Sequence, residues 1–223
     1  MLALGLLSCK SDTSSKSEKS AKVADAPAAE SAGGHARLPS NEPSFLNPVL
    51  ERRFNRANLL IFEGLIAFDS TLKPVPRLAE SWEQSEDGKT ITFRLRKGVT
   101  WSDNTPFTSK DVAFTIENIR STRLPSIWPT YFRTLESITT PDELTVVANY
   151  KTPYAPALVS WSVGILPAHK FVDLELGEAP ANYEPIGTGP FKLRRWERGG
   201  RMILSRNEGW WKGKTGLESI ELV

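Results

Sequence analysis

Residues 78–112 read LAESWEQSEDGKTITFRLRKGVTWSDNTPFTSKDV, and the order of local signals in this stretch decides the fold. Asp87 and Gly88 form a dipeptide that favours a tight hairpin turn, because both residues tolerate a positive φ. Beyond this turn, apolar and polar residues alternate over residues 91–96, which is typical of a strand with one buried face. The stretch therefore predicts a β-hairpin formed by residues 78–84 and 89–96.

The second half of the stretch predicts a turn followed by a helix. Residues 101–106, WSDNTP, are a cluster of turn-forming residues. Thr108 precedes Asp111 by three residues, which resembles a capping box with Asp in place of Glu. The apolar residues that follow recur at helical spacing, at Val112, Ile116 and Ile119. We therefore expect a helix over residues 108–120 with these side chains in the core.

The rest of the chain alternates hairpins with helices and contains no internal repeat. Two further hairpins are predicted, from residues 135–140 with 144–150 and from residues 191–195 with 202–206. Helices are predicted at 56–68 and 155–161, and strands at 36–38 and 217–223. Since no strand–helix–strand unit repeats, the pattern predicts a fold of the α+β class.

Together with motifs elsewhere, this stretch resembles the family 5 extracytoplasmic solute-binding proteins, the peptide- and nickel-binding receptors of ABC importers. The other motifs, in order, are FEGL at 62–65, TPYAP at 152–156, GILP at 164–167, PIGTGPF at 185–191, RN at 206–207 and WW at 210–211. The resemblance covers residues 41–223. One departure is Asn104, where the family usually has Gly, but Asn tolerates the left-handed region better than most residues.

The resemblance implies a mixed α/β fold, namely the N-terminal lobe of a two-lobed periplasmic-binding-protein type II fold, truncated at the C-terminus. In the family the chain leaves the central sheet of this lobe, builds a smaller subdomain and returns near the GTGPF motif. We therefore expect residues 38–67 and 180–223 to form the sheet portion of lobe I, and residues 68–179 to form an inserted subdomain.

The N-terminal residues predict a lipoprotein. LLSC at 6–9 resembles a bacterial lipobox, in which Cys9 would carry the lipid, so residues 1–9 are interpreted as the remainder of a signal peptide. A chance occurrence of these four letters is the alternative. Residues 10–37 contain almost no large apolar side chains and are predicted to form a disordered tether. The predicted location is the periplasm or the outer face of the cytoplasmic membrane, with a lipid anchor.

Composition excludes several other classes of function. The formal net charge is only +2, which argues against a nucleic-acid partner. With two histidines and one cysteine, the chain offers no cluster of metal ligands, and we predict neither a metal nor a cofactor. Ser162 lies near His169 in sequence, but no G-x-S-x-G motif surrounds it, so we predict that the protein is not an enzyme.

The predicted function is the substrate-binding component of an ABC importer. The resemblance implies capture of a di- or oligopeptide outside the cytoplasmic membrane by hinge closure and its delivery to the permease subunits. We expect a monomer that contacts the membrane only through its lipid. The alternative is a lipoprotein of the same fold that serves sensing or adhesion without transport.

The resemblance also implies which residues face the ligand. One segment follows the helix at 108–120 and contributes Trp128, and a second, at 160–163, contributes Trp161 and Ser162. The loop at 41–45 is a third candidate, through Asn41 and Phe45. Core packing is the alternative for both tryptophans. The nickel-binding branch carries an arginine in the second segment, and none occurs between residues 151 and 170, which favours peptides.

Overall fold

The computed structural model describes residues 33–121, 126–154 and 156–223. Within these ranges the strands form two four-stranded sheets and one two-stranded ribbon, with short helices between them. This mixture of helix and sheet confirms the predicted fold class. The predicted signal peptide, with Cys9, and residues 10–32 of the predicted tether lie outside the described residues.

The elements are numbered along the chain. The strands are β1 (Gly34–Leu38), β2 (Ile66–Phe68), β3 (Pro74–Pro76), β4 (Ala79–Gln84), β5 (Thr90–Leu95), β6 (Leu135–Asp142), β7 (Thr145–Tyr150), β8 (Phe191–Trp196), β9 (Met202–Arg206) and β10 (Leu217–Leu222). The helices are α1 (Arg56–Ile61), α2 (Ser109–Ser121), α3 (Trp128–Tyr131) and α4 (Ala157–Ser160), and two 3₁₀ turns lie at Ala168–Lys170 and Pro180–Asn182. All three predicted hairpins are therefore confirmed.

The first hairpin, β4–β5, has the turn that its sequence predicts. Gly88 adopts a φ of 67°, and its N–H donates to the carbonyl of Ser85. The Asp87 carboxylate accepts hydrogen bonds from the Ser85 hydroxyl and the Lys89 N–H. Along β5, Ile91 and the other apolar residues are buried while Arg94 is exposed. The strand order β4-β5-β7-β6 is antiparallel throughout.

The cap of α2 also forms as the sequence predicts. The Asp111 carboxylate accepts the backbone N–H of Thr108 at 2.9 Å, which is the half of a capping box that reaches back. It also accepts the N–H of Ala168 at 3.0 Å, so the same group holds the following segment against the helix. Burial raises the pKa of Asp111, and these hydrogen bonds oppose that shift. The side chains predicted for the core, Val112, Ile116 and Ile119, are fully buried.

The outer sheet joins the beginning and the end of the described chain. Its order is β1-β10-β9-β8, and β1 runs parallel to β10 whereas the other pairs are antiparallel. Since β1 begins at Gly34, the predicted end of the tether at residue 37 is wrong, and residues 34–37 belong to the sheet. The β4–β7 sheet lies wholly between residues 79 and 150. The division of lobe I at residues 68 and 179 stays a prediction.

The prediction of one helix over residues 56–68 is wrong at its C-terminal end. α1 ends at Ile61, and Phe62 is extended, with φ −112° and ψ 149°. Gly64 then passes the backbone of Ser162 so closely that a Cβ atom would lie 2.6 Å from the Ser162 carbonyl carbon. This long-range contact outweighs the apolar periodicity, and the residues beyond it form β2, which pairs with β3.

The turn before β8 packs directly against α1. Gly187 and Gly189 lie against the last turn of this helix, and the N–H of Gly189 donates to the Ile61 carbonyl at 2.8 Å. The carbonyl of Gly187 accepts the N–H of Ser102, which ties the same passage to the turn between β5 and α2. The GTGPF motif thus connects α1 with β8 and with the turn that follows β5.

The turn before α2 contains a solvent-accessible ion-pair cluster. Asn104 has a φ of 68°, which confirms that it takes the left-handed position that Gly usually fills in the family. Asp103 lies 2.9 Å from His169 Nε2 and 3.0 Å from Lys170 Nζ. Burial disfavours the charged Asp103, but the hydrogen bonds from His169, Lys170 and Thr105 outweigh it and hold the pKa well below its ordinary value.

We expect this ion-pair cluster to make the free energy of unfolding depend on pH in the acid range. The folded-state pKa of Asp103 is lowered, so the ionised carboxylate stabilises the folded protein at pH values above its ordinary pKa of 3.8. This contribution to the free energy of unfolding is lost as the pH falls through the folded-state pKa. Replacing Asp103 by Asn should therefore lower the free energy of unfolding at pH 7 and matter progressively less below pH 4, as measured by urea unfolding. The exposed Asp173 offers the matched control, Asp173→Asn. An equal loss for Asp103→Asn at pH 7 and pH 3 would contradict this expectation.

Candidate functional site

A groove of about 750 Å³ opens beside α1. Its walls come from the segment before α1, from α1 itself, from β2 and from the segments that hold α3 and α4. A side pocket, also of about 750 Å³, adjoins it and shares Glu51, Arg52, Arg53 and Ile127 with it. The side pocket also contacts Phe45. The groove and the side pocket together form the candidate site.

The groove has an apolar rim that is open to solvent. The side chains of Phe54, Leu59 and Ile127 are 69%, 61% and 44% exposed, respectively. All three line the groove. Apolar side chains exposed together around a concavity are typical of a binding surface rather than of a free surface.

The segment before α1 is held rigidly by buried polar groups. The Glu51 carboxylate accepts the backbone N–H groups of Ser44 at 2.7 Å and Arg53 at 3.0 Å. The Asn47 side chain accepts the N–H of Val49 at 2.9 Å and donates to Asn182 at 2.7 Å. The wall of the groove is therefore ordered by hydrogen bonds within the chain.

The floor of the groove contains an ion pair whose carboxylate is buried and whose guanidinium is partly exposed. Glu63 Oε1 lies 2.6 Å from Nε of Arg77, and both residues line the groove. Nε1 of Trp211 donates to Glu63 Oε2 at 2.7 Å, and Nε1 of Trp210 donates to the same carboxylate. Burial raises the pKa of the Glu63 carboxyl, and the charge of Arg77 opposes this shift. The WW motif at 210–211 thus fixes the floor of the site.

Two of the predicted ligand residues line the groove. Trp128 lies at the start of α3, and its Nε1 donates to the Pro48 carbonyl at 2.9 Å, which holds one edge of the ring against the wall. Ser162 lies across the groove and donates its hydroxyl to the Val159 carbonyl. That both contact a ligand stays a prediction.

Trp161, the third predicted ligand residue, belongs to the core. Its side chain is fully buried, with ring centroids 4.8 Å from Phe93 and 5.5 Å from Phe132. Its Nε1 donates to the Tyr150 hydroxyl at 2.9 Å. The prediction that the Trp161 side chain faces the ligand is therefore wrong, because the surrounding residues enclose the indole completely. The alternative, core packing, is what the structure has.

The third predicted segment divides between two places. Phe45 lines the side pocket, and its ring packs against that of Tyr183 with the ring centroids 6.0 Å apart. Asn41 lines neither the groove nor the side pocket, and its carbonyl accepts a hydrogen bond from the Asn55 side chain. The residues that the sequence analysis missed are those of the wall and rim, namely Arg52, Arg53, Phe54, Leu59 and Ile127. The RRF run at 52–54 is a signal that could have indicated three of them, because it places an aromatic side chain beside two arginines.

Among the described residues, no three His, Cys, Asp or Glu side chains lie together in a way that could hold a metal ion. None of the helices in the described ranges has the length and apolar character needed to cross a membrane.

Comparison with known proteins identifies the family. Residues 73–223 match the bacterial extracellular solute-binding proteins, family 5 middle. Protein XP55 of Streptomyces lividans is 31% identical over 185 residues, which cover 82% of this chain and 34% of that protein. The dipeptide-binding protein of Escherichia coli (strain K12) is 28% identical over 204 residues, which cover 80% of this chain and 38% of that protein.

A solved structure supports the same assignment. NikZ from Campylobacter jejuni, in complex with Ni(L-His), matches with a TM-score of 0.80 and 29% sequence identity, over 85% of this chain and 38% of that one. The chain therefore spans well under half the length of each of these relatives. On the matched residues and the shared fold, this chain belongs to the family 5 bacterial extracellular solute-binding proteins.

Proposed function

We propose that this chain forms one wall of the ligand cleft in the substrate-binding component of an ABC importer, and that the ligand is a di- or oligopeptide. The observation that carries the proposal is the groove with its exposed apolar rim of Phe54, Leu59 and Ile127. A rim of this kind suits a second surface that closes over a bound ligand. The dipeptide-binding relative in Escherichia coli supports a peptide as that ligand.

The proposed mechanism is hinge closure over the ligand. A ligand that contacts this wall and a facing surface at once binds the closed state better than the open one, and it shifts the equilibrium by that difference in affinity. The hydrogen bonds of the Glu51 carboxylate and the ion pair of Glu63 with Arg77 hold the wall in one conformation. Closure then costs little ordering of this wall, because the wall is already in place.

We also propose a location and a ligand class for the receptor. Cys9 would carry a lipid, so that the receptor stays outside the cytoplasmic membrane near its permease, as a monomer. NikZ is a relative in complex with Ni(L-His), so a nickel chelate is the competing ligand class. The absence of arginine between residues 151 and 170 favours peptides for this chain.

Native mass spectrometry tests the proposal directly. The whole protein, with every residue that its gene encodes, is purified without denaturant from its own membrane fraction. We expect a heterogeneous, peptide-sized adduct that is released by denaturation and can be sequenced, and an N-terminal mass that includes a lipid on Cys9. A nickel-containing adduct would contradict the peptide class. A ligand-free protein that binds neither peptides nor nickel chelates would contradict the receptor role.

Trp128 is the residue of the groove whose substitution tests this function most cleanly. Replacing it by Ala removes an aromatic surface and the hydrogen bond to Pro48, so we expect peptide affinity in the whole protein to fall about tenfold to a hundredfold. Isothermal titration calorimetry with the peptides recovered from the protein measures the change. Trp128→Phe is the control, because it keeps a smaller aromatic ring in the groove and loses the N–H that bonds to Pro48. Unchanged affinity for both variants would remove Trp128 from the ligand site.

A further inference from the structure

We infer that Arg52 and Arg53 form an anion-binding subsite of the groove that takes a carboxylate group of the ligand. The inference rests on the proposed function and narrows its ligand class. Three arginines and two glutamates line the groove and the side pocket, namely Glu51, Arg52, Arg53, Glu63 and Arg77. Which of these charges a ligand meets depends on which are already paired within the chain.

Both glutamates are already satisfied. The buried Glu63 carboxylate is paired with Arg77 at 2.6 Å and accepts the indole N–H of Trp211 at 2.7 Å. The Glu51 carboxylate faces its own loop and accepts backbone N–H groups, the shortest at 2.7 Å from Ser44. Such charge-assisted bonds leave little of either carboxylate free to bind a cation from a ligand.

Arg52 and Arg53 are in the opposite condition. Both are exposed, and both line the groove and the side pocket. In the described part of the chain, no ion pair or side-chain hydrogen bond engages either guanidinium. Only the backbone N–H of Arg53 is used, by Glu51. The segment therefore presents two positive charges to the site, and the neighbouring Glu51 carboxylate is engaged by backbone N–H groups.

The surroundings of these arginines favour an anionic partner. Phe54 and Ile127 lie along the same wall, so closing the cleft removes water from a partly apolar space. A guanidinium that loses water without gaining a partner is costly, whereas an opposite charge placed there interacts more strongly than in bulk water. Closure of the cleft therefore strengthens the binding of a ligand that places an anion at this position. It weakens the binding of a ligand that leaves the guanidinium groups without a partner.

Carboxylate is the anion that fits a peptide ligand. Guanidinium groups bind carboxylates in a planar, two-bond geometry, and two consecutive arginines can contact both oxygens. A peptide offers a carboxylate either at its C-terminus or on an Asp or Glu side chain. The chemistry at Arg52 and Arg53 is the same in both cases, so the experiment has to separate the two sources.

Isothermal titration calorimetry on the whole protein, freed of bound ligand, provides this separation. The probes are Ala-Ala-Ala, the same tripeptide with an amidated C-terminus, and amidated Ala-Asp-Ala. The variants are Arg52→Gln, Arg53→Gln and the double variant. Arg56→Gln is the matched control, because Arg56 is an exposed arginine of α1 that lines neither the groove nor the side pocket.

We expect the double variant to bind at least one carboxylate-bearing probe about tenfold to a hundredfold more weakly, while binding of the amidated Ala-Ala-Ala and the effect of Arg56→Gln stay within about twofold. Loss for free Ala-Ala-Ala assigns the C-terminus to the subsite, and loss for amidated Ala-Asp-Ala assigns the acidic side chain. Equal losses for all three probes, or no loss for any, would overturn the subsite but leave the peptide receptor standing. If no peptide binds the unmodified protein, both the receptor and the subsite are overturned.

Discussion

The Trp161→Ala variant should lose about 3–5 kcal/mol of its free energy of unfolding, because it leaves a large cavity between β5 and α4. The indole is fully buried and packs against Phe93 and Phe132. Its removal also leaves the Tyr150 hydroxyl without its indole donor in a site where burial raises the pKa of that hydroxyl to about 12. Chemical denaturation of the purified protein measures the loss directly.

Two controls separate packing from ligand binding at this residue. Trp161→Phe keeps an aromatic ring in the core and removes the N–H that bonds to Tyr150 together with part of the ring, so its loss of stability should be smaller than that of Trp161→Ala. Trp128→Ala removes the same side chain from the groove, where it is only half-buried, and should change stability less than Trp161→Ala does. An unchanged melting temperature combined with weaker ligand binding for Trp161→Ala would return this residue to the ligand surface.

Gly187→Ala should destabilise the protein by more than about 3 kcal/mol, through direct overlap of backbone and side chain. A Cβ atom at Gly187 would lie 1.9 Å from the Ile61 carbonyl oxygen and 2.6 Å from the Ile61 carbonyl carbon. Both are backbone atoms at the end of α1, so the helix and the passage before β8 have to separate. The separation would also strain the hydrogen bond between Ser102 and the Gly187 carbonyl.

Thermal unfolding of Gly187→Ala against Gly209→Ala isolates this effect. At Gly209 a Cβ atom would have its nearest neighbour, the Asn207 side-chain oxygen, at 3.7 Å, which is ordinary contact. The second substitution adds the same methyl group to a glycine after β9 and should change the melting temperature little. Similar melting temperatures for both variants would mean that α1 moves away from the passage without cost.

The parts of the fold that could be predicted from the sequence are those with short-range causes. The β4–β5 hairpin follows from Asp87 and Gly88, and the start of α2 follows from Thr108 and Asp111, all within a few residues. The helix predicted over residues 56–68 went wrong where a distant segment intervenes. There the Leu65 N–H donates to a carbonyl of the segment at 160–163, a contact that local periodicity does not contain.

The candidate site was harder to predict, because exposure depends on what the rest of the chain covers. Trp128 and Trp161 are the same type of residue, and it is the packing of Phe93 and Phe132 around Trp161 that assigns Trp161 to the core. Leu59 belongs to the apolar residues of a predicted helix, yet it lies 61% exposed at the rim. The residues that line the groove come from segments that are distant in sequence, and only the folded chain brings these segments together.

The parallel pairing of β1 with β10 determines when the outer sheet can form. A ring nitrogen of His35 lies 2.6 Å from the Ser219 hydroxyl, although 184 residues separate them in the chain. At ribosomal rates of about 5–20 residues per second, β10 is synthesised roughly 10–40 s after β1. Strand β1 has no parallel partner during this interval. An unpaired strand is a template for aggregation during such an interval. A strand made early is thus paired late, and chaperone binding to the nascent chain would favour correct folding.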